Sequence, residues 1–276
     1  MLTNFHTHCS FSDGKQDPET IVREAIRKGL TGIGFSTHAP VHFENTWAMQ
    51  PGRLSQYMET ISGLKRKYAG HIEIYLGMEI DYFIDVDEAL FRNTQLDYII
   101  GSVHFLTNKG HSPYYPVDMN PDKFTNGIDE MFGGDAGAYV KTYYSHVRDL
   151  IIRYRPSVTG HFDLVKKFNR DNRFFNEREK WYEDAVMPAL LEIAKCGSIV
   201  EINTSIVYRG LGDEPYPSGW ILKRCRDLGI PIMINSDAHS MDKLDAWFLQ
   251  AREFARKAGF SSRRILSKGK WDDIPL

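Results

Sequence analysis

Cysteine is scarce and odd in number in this chain: Cys9, Cys196 and Cys225 are the only three in 276 residues. No two of them share a metal-type spacing, so neither a disulfide framework nor a cysteine-rich zinc module is expected, and reduced thiols are the simplest reading. No apolar run approaches the roughly 18 residues of a membrane span. The opening MLTNFHTHCS lacks the basic-then-apolar order of a secretory leader. A cytoplasmic protein with no membrane partner is therefore expected. Positive charge is not in excess either: 34 Lys and Arg stand against 36 Asp and Glu, for a formal net charge of −2. That balance argues against nucleic acid as a partner. Gly-rich phosphate loops of the dinucleotide or P-loop type are absent, as are fixed-period repeats and low-complexity segments.

What is present is an ordinary globular composition, 42% hydrophobic with 14 Tyr and 16 Phe, which speaks against disorder. The length permits one barrel-sized domain, read here as residues 1–276. Apolar runs predict strands at Leu2–His6, Gly32–Thr37, Glu73–Glu79, Tyr98–Val103, Ser157–His161, Ile199–Asn203 and Pro231–Asn235. Amphipathic segments alternate with them at Pro18–Lys28, Gly52–Tyr68, Asp85–Arg92, Ala136–Tyr154, Glu177–Lys195 and Ser218–Leu228, with a last one at Lys243–Ala258. Pro18 after Asp17 marks a helix start. Gly29 and Gly229 sit where helices should stop. Seven strands alternating with helices predict an α/β fold with a largely parallel sheet. The stretch Asn108–Asp135 breaks the rhythm. It is polar and rich in Gly, Pro and Asn, and reads as a long insertion loop able to lid a site.

Metal-ligand residues recur at the ends of the apolar runs: His6 and His8, Asp13, His38, Glu79, His104, His161 with Asp163, and Asp237 with His239. Such residues at strand C-termini are how a barrel enzyme assembles a site, which favours closure of the sheet into a barrel. Imidazole mixed with carboxylate suits borderline-to-hard divalent metals. His6 and His8 are two apart, so in a strand both rings share a face. Asp13, in a Ser-Asp-Gly turn, is either a ligand or a turn former. Glu79 would be costly to bury without a cation, and one glutamate can bridge two. Each histidine alone could be structural, but the set outweighs its members. His42, four residues after His38, is a candidate for touching substrate. Cys9 is a weaker candidate ligand, a small strand-end filler being the commoner role. Glu73 reads as solvent-facing or structural, and His146 as a packing residue. Arg209 follows the sixth strand and suits bidentate phosphate binding, with a surface ion pair as the alternative; Lys166 and Lys167 come next as phosphate contacts. Glu201, inside that strand, is either a partner for a buried cation or a support for a ligand histidine.

The ordered set HTHCSFSDG (6–14), STHAP (36–40), GMEIDY (77–82), GSVHF (101–105), GHFDLVKKF (160–168), EINTS (201–205) and NSDAH (235–239) resembles the PHP (polymerase and histidinol phosphatase) family, in its monofunctional histidinol-phosphatase branch. The resemblance implies a distorted seven-stranded, TIM-like (β/α) barrel with three divalent ions, Zn, Fe or Mn, at its C-terminal mouth. It implies that His6, His8, Glu79 and Asp237 hold the first ion, that Glu79, His104 and His161 hold the second, and that Asp13, His38 and His239 hold the third. It further implies hydrolysis of the small-molecule ester L-histidinol phosphate, with Glu79, Asp237, His239 and Arg209 as catalytic residues and Arg209 on the phosphate. The rival readings are another PHP phosphoesterase acting on a nucleotide, a sugar phosphate or a phosphotyrosine protein; an amidohydrolase-type deaminase; and a non-catalytic metal-binding barrel. The GMEID and GSVHF motifs do not fit the deaminase, and intact ligands at all nine positions weigh against the inert barrel.

Overall fold

The computed structural model describes residues 1–83, 95–107 and 114–276. The expected helix Asp85–Arg92, and His111, lie outside these residues. Among the described residues the strands are β1 (Thr3–Asn4), β2 (Gly32–Phe35), β3 (Glu73–Asp81), β4 (Tyr98–Ser102), β5 (Phe105–Leu106), β6 (Tyr115–Pro116), β7 (Val158–Thr159), β8 (Ile199–Asn203), β9 (Ile232–Asn235), β10 (Ser262–Ser267) and β11 (Lys270–Pro275). Seven of them form one sheet in the order β1-β2-β3-β4-β7-β8-β9, and every pairing in it is parallel. The seven strands expected from sequence are these seven, some of them shorter than the apolar runs.

The sheet nearly closes. Beyond β1 and β9 the chain makes a parallel bridge between Thr7 and Ala238. There Ala238 N–H donates to His6 O at 3.1 Å and His8 N–H donates to Ala238 O at 2.9 Å. This bridge, with Phe5 N–H donating to Asn235 Oδ1 at 2.9 Å, draws the two edges together into a nearly closed barrel.

Local chemistry sets the helices. Asp17 caps the helix Pro18–Arg27 by accepting from Thr20 N at 3.0 Å, and Asp135 caps Ala136–Tyr154 by accepting from Ala138 N at 2.9 Å. The expected long loop over 108–135 needs correction. Residues 121–132 are helical, with Asn120 as N-cap, Pro121 in the first turn and Gly133 in the left-handed conformation at the stop. Phe124 and Ile128, four apart, are buried on one face of it.

Other elements also escaped the sequence reading, among them the short antiparallel pair β5–β6. The segment Ser205–Tyr208 forms a single helical turn after β8. β10 and β11 make an antiparallel hairpin, turning at Lys268 and Gly269, both with positive φ. Ile265 and Leu266 of this hairpin pack with Tyr75, Tyr98, Val158, Ile199 and Met233 at or near the starts of their strands. The hairpin thus covers the N-terminal end of the barrel. Tyr98 runs through the interior, where its hydroxyl donates to Phe5 O at 2.5 Å. Its ring occupies the space beside Gly34 and Gly77: a Cβ at either position would fall 2.3 Å from a Tyr98 atom.

Candidate metal centre

The C-terminal strand ends converge on a cavity of about 300 Å³. Asp13, His38, Glu79, His104, His161, Asp237 and His239 line it, together with Trp47, Phe105, Asp118, Lys167 and Arg209. His6 and His8 lie beneath, fully buried.

Glu79 is the centre of the arrangement. Its Oε2 is 3.3 Å from His6 Nε2, 3.4 Å from His8 Nε2 and 3.1 Å from His38 Nδ1. Its Oε1 is 3.1 Å from His161 Nε2 and accepts from Ser102 Oγ at 2.6 Å. Burial opposes the charge on Glu79, but His6, His38 and His104 outweigh it and hold the carboxyl well below the usual range. Asp237 Oδ1 stands 3.2 Å from His8 Nε2, and His239 Nε2 stands 3.1 Å from Asp13 Oδ2. His104 Nε2 is 3.1 Å from His161 Nε2.

Two carboxylates behind the imidazoles fix their orientation. Glu201 accepts from His6 Nδ1 at 3.0 Å, from the His161 backbone N–H at 2.8 Å, and from Asn203 and Asn235 at 2.9 Å each. Of the two roles open to Glu201, the geometry selects the support of a histidine. Asp81 accepts from His104 Nδ1 at 2.5 Å. In both histidines Nδ1 is thereby the donor to a carboxylate and Nε2 is left facing the centre, where its lone pair is free once the ring is neutral. Asp81 was not singled out from sequence. The available signal was its position two residues after Glu79, on the same face of β3.

Backbone detail serves the same centre. Asp237 adopts a left-handed conformation, φ 53°, uncommon for a residue with a Cβ and typical of functional sites. Tyr208 Oη donates to its carbonyl at 3.0 Å. Gly14 lets the turn carrying Asp13 fold onto the His8–Cys9 backbone, where a Cβ would lie 2.3 Å from Cys9 N.

The donor set fits divalent cations. His6 Nε2, both ring nitrogens of His8, His38 Nδ1 and Glu79 Oε2 are buried without a hydrogen-bond partner. Leaving so many polar atoms unpaired is costly unless a cation receives their lone pairs. Among the described residues three groups have ligand atoms within 4.8 Å of one another: His8, Asp13, His38 and His239; His6, His8 and Asp237; and His38, Glu79 and His104. Eight of the nine expected side chains fall in these groups, with His8 and His38 each shared between two; the ninth, His161, belongs to none of them and stands with Nε2 3.1 Å from Glu79 Oε1.

Other expected residues are placed differently. His42 is exposed, and its ring packs against Phe43, Phe83 and Tyr114. It is not among the residues lining the cavity, where Trp47 stands instead, 4.9 Å from the His38 ring. Cys9 lies in an apolar cluster with Phe11 and Ile21, where burial pushes its thiol up, and it belongs to none of the three ligand groups. Asp163 is tied to Ser218 N at 2.8 Å and to Lys166 at 3.0 Å. Lys166 is buried and also donates to Pro215 O and Ser218 Oγ, so it is not free to grip phosphate. Glu73 accepts from Tyr75 Oη and Lys268 N, a structural role. Arg209 lines the cavity with Nη2 3.1 Å from His239 Nδ1.

A parallel barrel that gathers imidazoles and carboxylates at its C-terminal mouth, with free lone pairs turned on one cavity, defines a metal-dependent hydrolase. The PHP domain matches residues 4–205, and the chain belongs to the PHP family. It is 31% identical over 252 residues to a histidinol-phosphatase of Bacillus subtilis, covering 85% of this chain and 92% of that one. Two solved structures share the fold. One is a Listeria monocytogenes protein assigned as a histidinol phosphatase, with TM-score 0.79 and 24% identity over 90% of this chain and 99% of that one. The other is the histidinol phosphate phosphatase of Lactococcus lactis complexed with zinc, L-histidinol and phosphate, with TM-score 0.73 and 22% identity over 98% of both. Asp237 and His239 lie beyond the matched PHP segment, yet the closure at Thr7 and Ala238 brings them into the centre. Among the described residues no helix is long and apolar enough to cross a membrane.

Proposed function

We propose that this protein is a metal-dependent phosphomonoesterase that hydrolyses L-histidinol phosphate to L-histidinol and phosphate, a step of histidine biosynthesis. The observation that carries the reading is the convergence of nine ligand-type side chains, several with unpaired buried donor atoms, on one cavity of about 300 Å³ in a chain 31% identical to a histidinol-phosphatase. His6, His8, Asp13, His38, Glu79, His104, His161, Asp237 and His239 would hold three ions of Zn, Fe or Mn type. Divalent ions supply Lewis acidity and a hydroxide nucleophile near neutral pH.

The chain's own residues do the rest. Glu79 provides the negative charge that offsets clustered cations. Arg209, on the cavity wall beside His239, donates to a phosphate oxygen and keeps the ester in line for attack. Water adds to phosphorus, the P–O bond to the alcohol breaks, and the leaving alkoxide takes a proton. A water in the cavity, or the Asp237–His239 pair beside Arg209, would supply that proton.

The test is phosphate release by protein reconstituted separately with Zn, Fe and Mn, offered histidinol phosphate, nucleotides and phosphotyrosine. The highest kcat/KM is expected on histidinol phosphate. A preference for nucleotides or phosphotyrosine would replace the substrate while leaving the hydrolase class in place.

A further inference from the structure

Four carboxylates line the cavity: Asp13, Glu79, Asp118 and Asp237. Three belong to the proposed ligand set, and Asp118 does not. It follows β6, whose neighbour Val117 donates its N–H to His104 O at 2.8 Å. It precedes the helix 121–132, which Asn120 caps. Its position is therefore fixed against a residue of the metal centre. Asp118 Oδ2 accepts from Lys167 Nζ at 2.9 Å, and among the described residues Oδ1 has no hydrogen-bond partner.

A carboxylate oxygen left free beside a phosphate site repels a plain phosphate ester. Lys167 offsets part of that charge, and the free oxygen gains a further contact when the substrate itself carries a positive charge. The same wall offers a flat apolar surface, Trp47 and Phe105, whose rings stack 5.6 Å apart. We propose that Asp118 binds the ammonium group of the substrate, so that the cavity selects phosphate monoesters of amino alcohols over those without a cation. Lys167 holds one oxygen of Asp118 and leaves the other to the ligand. This inference rests on the histidinol phosphate reading above.

The test is steady-state kinetics of the metal-loaded full chain on L-histidinol phosphate and on its desamino analogue, which lacks only the amino group. The wild type should favour the amine by about 10- to 100-fold in kcat/KM, the range of a charge-assisted contact. Asp118→Asn, with metal content measured on the same preparation, should bring the ratio close to one. Lys167→Met removes the competing cation and should widen the wild-type ratio, which keeps the proposal exposed if the Asn variant does not fold. A wild-type ratio near one overturns the assignment, as does an Asn variant that lowers both substrates alike or a narrowed ratio in Lys167→Met. Turnover of neither phosphate by the wild type removes the histidinol phosphate reading and the role of Asp118 together, whereas turnover of both without preference removes Asp118 alone.

Discussion

At the scale of single residues, Glu79 and Arg209 separate two kinds of contribution. Glu79 is buried among four imidazoles within 3.5 Å of its oxygens. Glu79→Gln preserves shape but removes the charge at the centre. Phosphatase activity should vanish while circular dichroism stays that of the wild type; near-normal turnover with unchanged metal content would take Glu79 out of the site. Arg209 is exposed at the rim and is not a ligand type. Arg209→Ala should lower kcat/KM on histidinol phosphate by about 10- to 150-fold, the range of a lost charge-assisted hydrogen bond. Elemental analysis should find the metals still bound, and an unchanged kcat/KM would move the phosphate grip elsewhere on the wall.

At the scale of elements, β3 and β4 show how packing constrains a metal strand. Gly77, two residues before Glu79, has no room for a methyl group because the Tyr98 ring fills it. Gly77→Ala should cost about 1–3 kcal/mol through overpacking and shift Tm down by several degrees in a chain of this size; an unchanged Tm would mean that the ring can move aside. Such contacts also explain what the sequence could tell. The seven strands, and most of the side chains that gather at their C-terminal ends, were legible because apolar runs ending in His, Asp or Glu are a local pattern. The helix 121–132 was hidden because Asn120, Pro121 and Gly133 were counted as loop residues, when they are a cap, a first turn and a stop. The terminal hairpin was overlooked although Lys268–Gly269 separates two short runs. Asp81 offered only its shared face with Glu79, and Asp118 offered no local signal, since what such a carboxylate does shows only when its partner across the fold, His104 or Lys167, is known.

At the scale of the whole molecule, metal and protons compete for the same nitrogens. In the metal-free protein burial disfavours charge on His8, but Asp13 and Asp237 push it up from 6.5 to about 9. Burial likewise opposes charge on His104, but Asp81 and Glu79 push it up to about 10. Stability from these raised groups is full below pH 6.5 and is lost as pH climbs through 9 and 10. Ligation needs the neutral rings, so metal binding strengthens over the same window. The gap in Tm between metal-loaded and chelator-treated protein should therefore widen from pH 6.5 to pH 9; a constant or shrinking gap would show that these imidazoles are not displaced by metal. The bridge between Thr7 and Ala238 has a consequence in time. At ribosomal speeds of about 5–20 residues per second, His8 emerges roughly ten to fifty seconds before Asp237. The first five proposed ligands, His6 to Glu79, are then made long before the strand that completes their ring. Ion capture by all nine proposed ligands therefore waits until β9 and the Asp237–His239 segment that follows it have been made.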